Sequence, residues 1–299
     1  MMPFSPEDLS NAAAERLRSL QANVNAQPSQ PDLGARYTRA KTLWETRDNR
    51  VADKAIWVEV KQKLKQSHPR PGICQYYEYE RITAIEHFFP KKYFPDYAFR
   101  WDNYLLICHN CNSKYKGDKF AVFNPAGSET IFELPITRGS YPSPPSNDAV
   151  LINPRSENPQ DSLLLDLGTG AFIPTPGTDA RRKTKAVYTR ALLHLNTDDN
   201  LVRYRKKAYD GYLRKLEEYI KIKAAFNFSA LLNALPPAKR TIVIQTSAYE
   251  LEKNRLLELI KNDILNDPFP TVWLEIKTQK DFLSHIAILF EDAPEALTW

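Results

Sequence analysis

Only three of the 299 residues are cysteine, too few and too odd a number for the disulfide framework of a small secreted domain. No run of about 18 apolar residues occurs, and Met1 to Asn11 holds no basic stretch followed by an apolar core. Neither a membrane span nor a signal peptide is therefore expected, and the cytoplasm is the expected compartment. Charge of one sign is scarce as well: 41 Lys and Arg stand against 36 Asp and Glu, a formal net charge of +5. That balance permits nucleic-acid binding without demanding it. What is present, 42% apolar and 26% charged residues, is the composition of an ordinary globular protein, long enough for one large domain or two smaller ones.

Apolar periodicity predicts a helix over residues 6 to 22, with Leu9, Ala13, Leu17 and Leu20 on one face. A second helical pattern runs from Thr38 to Gln66 with an interruption near Asp48 and Asn49. Between Ile73 and Phe123 the texture turns aromatic and β-branched, and two short strands are expected, one of them over Tyr104 to Ile107. Residues 135 to 149 hold four prolines and read as a surface loop. Short strands are expected at 150 to 154, 162 to 165 and 171 to 173, and helices at 179 to 195, 198 to 226, 247 to 265 and 271 to 290. There is no internal repeat. The resulting expectation is an α+β protein in three segments: an N-terminal helical one (1 to 70), a strand-bearing one with an inserted loop (71 to 175) and a C-terminal helical one (176 to 299).

The residues that carry chemistry lie in the middle segment. Glu86-His87 is followed sixteen residues after the histidine by Asn103 and nine residues further on by Asn112, directly after the second cysteine of Cys108-His109-Asn110-Cys111. Hydrolysis of a phosphodiester with the help of a metal needs a base near neutral pKa and a hard cation to stabilise charge on the phosphate. Histidine suits the first task. Mg²⁺ or Mn²⁺ is content with one carboxylate and one amide oxygen, roles that Glu86 and Asn112 fit. Neighbouring side chains on a strand point to opposite faces, so Glu86 and His87 can share a site only where the strand ends, as Phe88-Phe89-Pro90 predicts. A C-x2-C pair in an intracellular chain points to metal or redox chemistry.

The stretch IEHFFPKKY, continued by WDNYLLICHNCNSKYKGDKF, resembles the HNH nucleases. The resemblance implies a ββα-metal core, two strands and a helix around one ion, embedded here in a mainly helical protein. It implies His87 as general base, Asn103 as the residue that fixes the loop and the base, and Glu86 and Asn112 as ligands of Mg²⁺ or Mn²⁺, with 5′-phosphate ends as products. Lys116, one helical turn after Asn112, is positioned to reach phosphate. The family often carries a zinc knuckle of two C-x2-C pairs. Cys74, Cys108 and Cys111 occupy three of its positions and Tyr77 stands at the fourth, so the set is one short of the four ligands that structural zinc takes. His109 and His68 are left unassigned. Arg181, Arg182, Lys183 and Lys185 form a basic run that could bind a nucleic-acid backbone or simply be a solvated helix face.

A wider pattern, from Cys74, Tyr76 and Glu78 through IEHF and WDN to KGD and Leu151-Ile-Asn-Pro154, resembles the PtuB nucleases of Septu antiphage systems and related retron effectors over roughly residues 70 to 210. That resemblance implies DNA, or structured RNA, as substrate and a PtuA-like ATPase as partner in a hetero-oligomer. Two rival readings remain at this point: a nucleic-acid-binding or assembly module without nuclease activity, and a stand-alone restriction or homing-type endonuclease.

Overall fold

The computed structural model describes residues 1–30, 32–124, 129–137, 139 and 141–299, so Arg138 and Ser140 of the expected surface loop lie outside it. It is α+β, with small antiparallel two-stranded sheets among helices. The chain divides into two compact units, Met1–Leu164 with Phe172–Asp198, and Leu165–Ala171 with Asp199–Trp299. The N-terminal helices and residues 71–164 and 172–175 of the strand-bearing segment anticipated from sequence thus fall together in the first unit.

In that unit α1 spans Asn11–Asn25. It begins later than the apolar pattern because the Ser10 hydroxyl accepts the Ala13 N–H at 3.3 Å, closing the first turn there. Its buried face is Ala13, Leu17, Leu20 and Val24. The pattern from Thr38 to Gln66 resolves into α2 (Gly34–Glu45) and α3 (Val51–Gln66), broken around Asp48 and Asn49. These helices cover a hairpin in which β1 (Ala84–His87) pairs antiparallel with β2 (Tyr104–Ile107), Glu86 opposite Leu105 and His87 opposite Tyr104. All four residues of β2 are buried, the reason its sequence is an unbroken apolar run. Leu17, Leu20, Trp57, Val60, Leu64, Ile85, Phe99, Tyr104 and Leu106 make one core, so the N-terminal helices and the hairpin are held as one body.

A second sheet pairs β3 (Ala121–Phe123) with β4 (Ile131–Glu133). Nothing in the sequence announces β4, whose side chains are half-buried or exposed throughout. The strand expected at 150 to 154 does not form: these residues are buried, but the Ile152 N–H donates to the Thr189 hydroxyl at 3.0 Å and the Asn153 N–H to Glu157 at 2.9 Å. Side chains thus satisfy backbone donors that a ladder would otherwise take. β5 (Leu163–Asp166) and β6 (Ala171–Pro174) form a third pair, and α4 (Ala180–Leu192) starts at the cap supplied by Asp179.

The second unit holds α5 (Asp199–Ala224), α6 (Phe228–Ala234), α7 (Tyr249–Leu265), α8 (Pro270–Thr278) and α9 (Ser284–Asp292). The single helix expected over 271 to 290 is two. A tight turn over Lys280–Phe282 and an extended Leu283 separate them, and the Gln279 side chain is drawn to the Leu165 carbonyl at 2.9 Å. Apolar positions on both sides of this break, Ile276, Ile286 and Phe290, are buried, so composition alone did not reveal it. The start of α5 carries four cationic residues, Arg203, Arg205, Lys206 and Lys207; of these Arg205 is buried and donates to the Gly170 carbonyl, and Lys206 reaches the Leu167 carbonyl.

Gly170 has φ +75°, and a Cβ there would lie 2.7 Å from the Val202 carbonyl oxygen. Gly170→Ala is therefore expected to destabilise the second unit by about 1–3 kcal/mol, read as a lower denaturant midpoint. An unchanged midpoint would mean the turn can relax away from α5.

Candidate functional site

β1 ends at His87, and the strand's last two residues, Glu86 and His87, are only 6% and 4% exposed. The His87 Nε2 lies 2.9 Å from the Ala98 carbonyl oxygen. A carbonyl only accepts, so Nε2 carries the proton and Nδ1 keeps its lone pair. Nδ1 in turn accepts from Lys91 Nζ at 3.3 Å. Burial, and next the Lys91 ammonium, hold the His87 imidazolium form well below its usual range, so the ring is neutral at pH 7. Burial also lowers Lys91. The Ala98 carbonyl accepts a second bond, from the Tyr104 hydroxyl at 2.9 Å, which ties the acceptor that orients the imidazole to β2.

The segment that follows His87 is held by Asn103. Its Oδ1 accepts the Phe89 N–H at 2.7 Å, and its Nδ2 donates to the carbonyls of Phe89 at 3.1 Å and Tyr97 at 2.9 Å. One side chain thus closes the loop that carries Lys91 and brings the Ala98 carbonyl to the histidine. Asn103→Ala removes all three bonds and is expected to cost about 2–4 kcal/mol of stability, measured by chemical denaturation. A loss below about 0.5 kcal/mol would show that the loop holds itself. Beside Asn103 opens a polar cavity of about 540 Å³, lined among others by Tyr97, Arg100, Asn147, Asn153 and Arg155.

Glu86 is paired with Lys116, whose ammonium is wholly buried and also donates to the His87 carbonyl at 3.0 Å. Burial raises the Glu86 carboxyl and Lys116 opposes that rise. Lys116 ends a π-helical segment, Asn110–Lys116, closed by the Gly117 N–H on the Asn112 carbonyl at 2.9 Å. Such wide turns are often found at functional sites. Asn112 is half-buried on this segment, one turn before Lys116. The lysine expected at phosphate thus has its ammonium committed to Glu86 and the His87 carbonyl.

Two residues without a sequence signal complete the surroundings. The Trp44 ring of α2 stands edge-on to the His87 ring with centroids 4.2 Å apart, and the Arg47 guanidinium lies 4.3 Å over the same indole. Lys91 could have been suspected from its place four residues after the histidine. Trp44 could not, since the contact joins positions 43 residues apart.

At the opposite end of β2, Cys74, Cys108 and Cys111 bring their sulfurs within 4.8 Å of one another, all buried. Such a group can hold a metal ion such as zinc. The Cys74 and Cys111 sulfurs are 3.7 Å apart, and two ligands of a tetrahedral zinc at about 2.3 Å from the ion stand about 3.8 Å apart. The Cys111 N–H points at the Cys108 sulfur (3.5 Å) and the Tyr77 N–H at the Cys74 sulfur (3.4 Å). The turn of a C-x2-C pair is thus kept at Tyr77, but its hydroxyl goes to the Leu193 carbonyl at 2.8 Å. Cys74 works against the desolvation of burial, and hydrogen bonds from Cys108 and Cys111 hold it well below an ordinary thiol, whereas burial pushes Cys111 well above. Among the described residues neither His68 nor His109 joins the group.

On α4, Arg181 pairs with Asp148 at 2.5 Å, Arg182 with Asp179 at 3.8 Å, and Lys185 with Glu157, while Lys183 is exposed. Partnering acids offset much of this positive face.

Fold and site together define an α+β protein with an acid–imidazole pair at the end of a short hairpin, a buried lysine returned to it by the helical turn that follows, and a three-cysteine cluster at the hairpin's other end. The Septu protein PtuB of Bacillus thuringiensis is 26% identical to this chain over 179 residues, 60% of this chain and 55% of that relative. The chain therefore spans about half the length of the relative it matches. No family model matches the chain. No solved structure matches it either. No helix among the described residues is long and apolar enough to cross a membrane.

Proposed function

We propose that this chain is a metal-dependent HNH endonuclease that hydrolyses phosphodiester bonds of DNA or structured RNA. In this reading β1, β2 and the helical turn Asn110–Lys116 form the ββα core. The observation that carries it is the state of His87: neutral, with Nε2–H fixed on the Ala98 carbonyl and the Nδ1 lone pair turned to Lys91 Nζ, which must give way before Nδ1 takes a proton. Proton transfer from the attacking water to Nδ1 generates the nucleophile, and Asn103 keeps the ring and the loop behind it in place.

The donor set fits a hard cation. Glu86 uses one carboxylate oxygen for Lys116, its second has no hydrogen-bond partner among the described residues, and the half-buried Asn112 amide has none either. These two would hold Mg²⁺ or Mn²⁺, which prefers a few protein oxygens and keeps the remainder of its shell for water and phosphate. When bound, the ion supplies stabilisation of charge on the phosphate and the leaving oxygen.

The Septu relative supports placing the activity in antiphage defence, with a PtuA-like ATPase as partner in a hetero-oligomer. Co-expression with an ATPase encoded beside the gene should yield a complex on affinity purification; separate elution of the two would count against that part.

Trp44 packs edge-on against the imidazole. In this reading the indole is a barrier beside the imidazole, so Trp44→Ala is expected to raise cleavage of short single-stranded or duplex substrates on the order of 3- to 10-fold, by removing a contact worth about 1 kcal/mol. A rate that falls would show that Trp44 supports the ring instead of screening it.

A further inference from the structure

The three-cysteine cluster lacks a fourth ligand, and Tyr77, at the position where one is expected, has turned its hydroxyl to the Leu193 carbonyl. We propose that Glu80 supplies the missing ligand, giving a zinc site of three thiolates and one carboxylate: Cys74, Cys108, Cys111 and Glu80. This site is separate from the nuclease reading and does not depend on it.

Three observations lead there. The loop that leaves Cys74 comes straight back: the Cys74 N–H donates to the Glu80 carbonyl at 2.7 Å and the Glu78 N–H to the Cys74 carbonyl at 2.7 Å, with Glu78 itself at φ +59°. That tight return sets Glu80 beside the cluster. Second, burial and then the Cys108 side chain push the Glu80 carboxyl up to about 7, which sets the carboxyl near that thiol. Third, its Oε1 accepts from the Asn110 Nδ2 at 2.8 Å, and Asn110 lies between Cys108 and Cys111. Asn110 therefore orients the carboxylate by the same logic by which outer-shell partners orient metal ligands.

The chemistry agrees with zinc. Zinc accepts carboxylate oxygen at about 2.0–2.2 Å alongside thiolates, and structural sites are closed by four protein ligands. Among the described residues no histidine nitrogen or carboxylate oxygen lies within 4.8 Å of all three sulfurs, and Glu80 is the carboxylate that the returning loop and Asn110 hold beside them. Only the approach from the Cys108 sulfur to the position shared by all three is required of its side chain.

Zinc content and affinity test this directly, without any nuclease assay. The full-length chain is expected to purify with one zinc by inductively coupled plasma mass spectrometry, and competition with a chromophoric chelator should show Glu80→Ala binding zinc at least about tenfold more weakly, since even outer-shell partners cost 10- to 100-fold. Glu80→Cys is the companion variant: reconstituted with Co²⁺, it should gain thiolate-to-cobalt absorption in proportion to four sulfurs instead of three. Equal zinc affinity in wild type and Glu80→Ala, or Co²⁺ absorption in Glu80→Cys no stronger than wild type, would overturn the proposal, as would a wild-type chain that binds no zinc. If Glu80→Ala does not fold, the cobalt spectrum of Glu80→Cys alone decides.

Discussion

His87→Ala should bind nucleic acid as the wild type does and cut it about 10²- to 10⁴-fold more slowly, the usual worth of a positioned general base. The ring contributes no surface to substrate binding that its neighbours do not, being 4% exposed beneath Trp44. The loss should therefore appear in the cleavage step and leave the dissociation constant unchanged. Filter binding in the presence of EDTA, paired with single-turnover cleavage in Mg²⁺ or Mn²⁺, separates the two. Cleavage within about threefold of wild type would remove His87 from the mechanism, because no general base contributes so little.

Lys116→Met should be the most damaging substitution for stability. The Lys116 ammonium is wholly buried against the Glu86 carboxylate, and replacing it with an isosteric apolar chain strands a nearly buried negative charge. Removing one partner of such a pair costs about 3–5 kcal/mol, which corresponds to a melting temperature roughly 6–20 °C lower. The variant also probes the cation. If Glu86 is an ion ligand, Mn²⁺ replaces the charge that Lys116 supplied, and saturating Mn²⁺ should raise the melting temperature of Lys116→Met by more than that of wild type. A variant that melts within about 2 °C of wild type would show that Glu86 is carried in its neutral form, with no charge to compensate.

How far the sequence foretold these features depended on whether the governing contact was local. Glu86, His87 and Asn103 were legible as candidates because they sit in one stretch with fixed spacing, and β1 does end at the histidine, where Phe88-Phe89-Pro90 predicted. The division of the helical pattern near Asp48 and most of the buried face of α1, through Ala13, Leu17 and Leu20, followed from periodicity. Trp44 was invisible because its place over His87 is set by the packing of α2 on the hairpin. The apolar run at 150 to 154 read as a strand, yet its donors are taken by Thr189 and Glu157, partners that only the folded chain supplies. Lys116 was expected at phosphate from its spacing on a helix; its burial against Glu86 depends on how that helical turn returns to β1, which spacing does not encode. Glu80 had no signal at all, being one acidic residue among 36 until the return of the chain set it beside Cys74 and Asn110.

Metal dependence of cutting tests the nuclease assignment most directly. The purified chain, together with any ATPase that co-purifies with it, should be incubated with plasmid and with structured RNA in EDTA, Mg²⁺ or Mn²⁺, beside Glu86→Gln. Cleavage that requires the cation and is lost in Glu86→Gln is the expected result. Cleavage that persists in EDTA, or that Glu86→Gln retains in full, would contradict it.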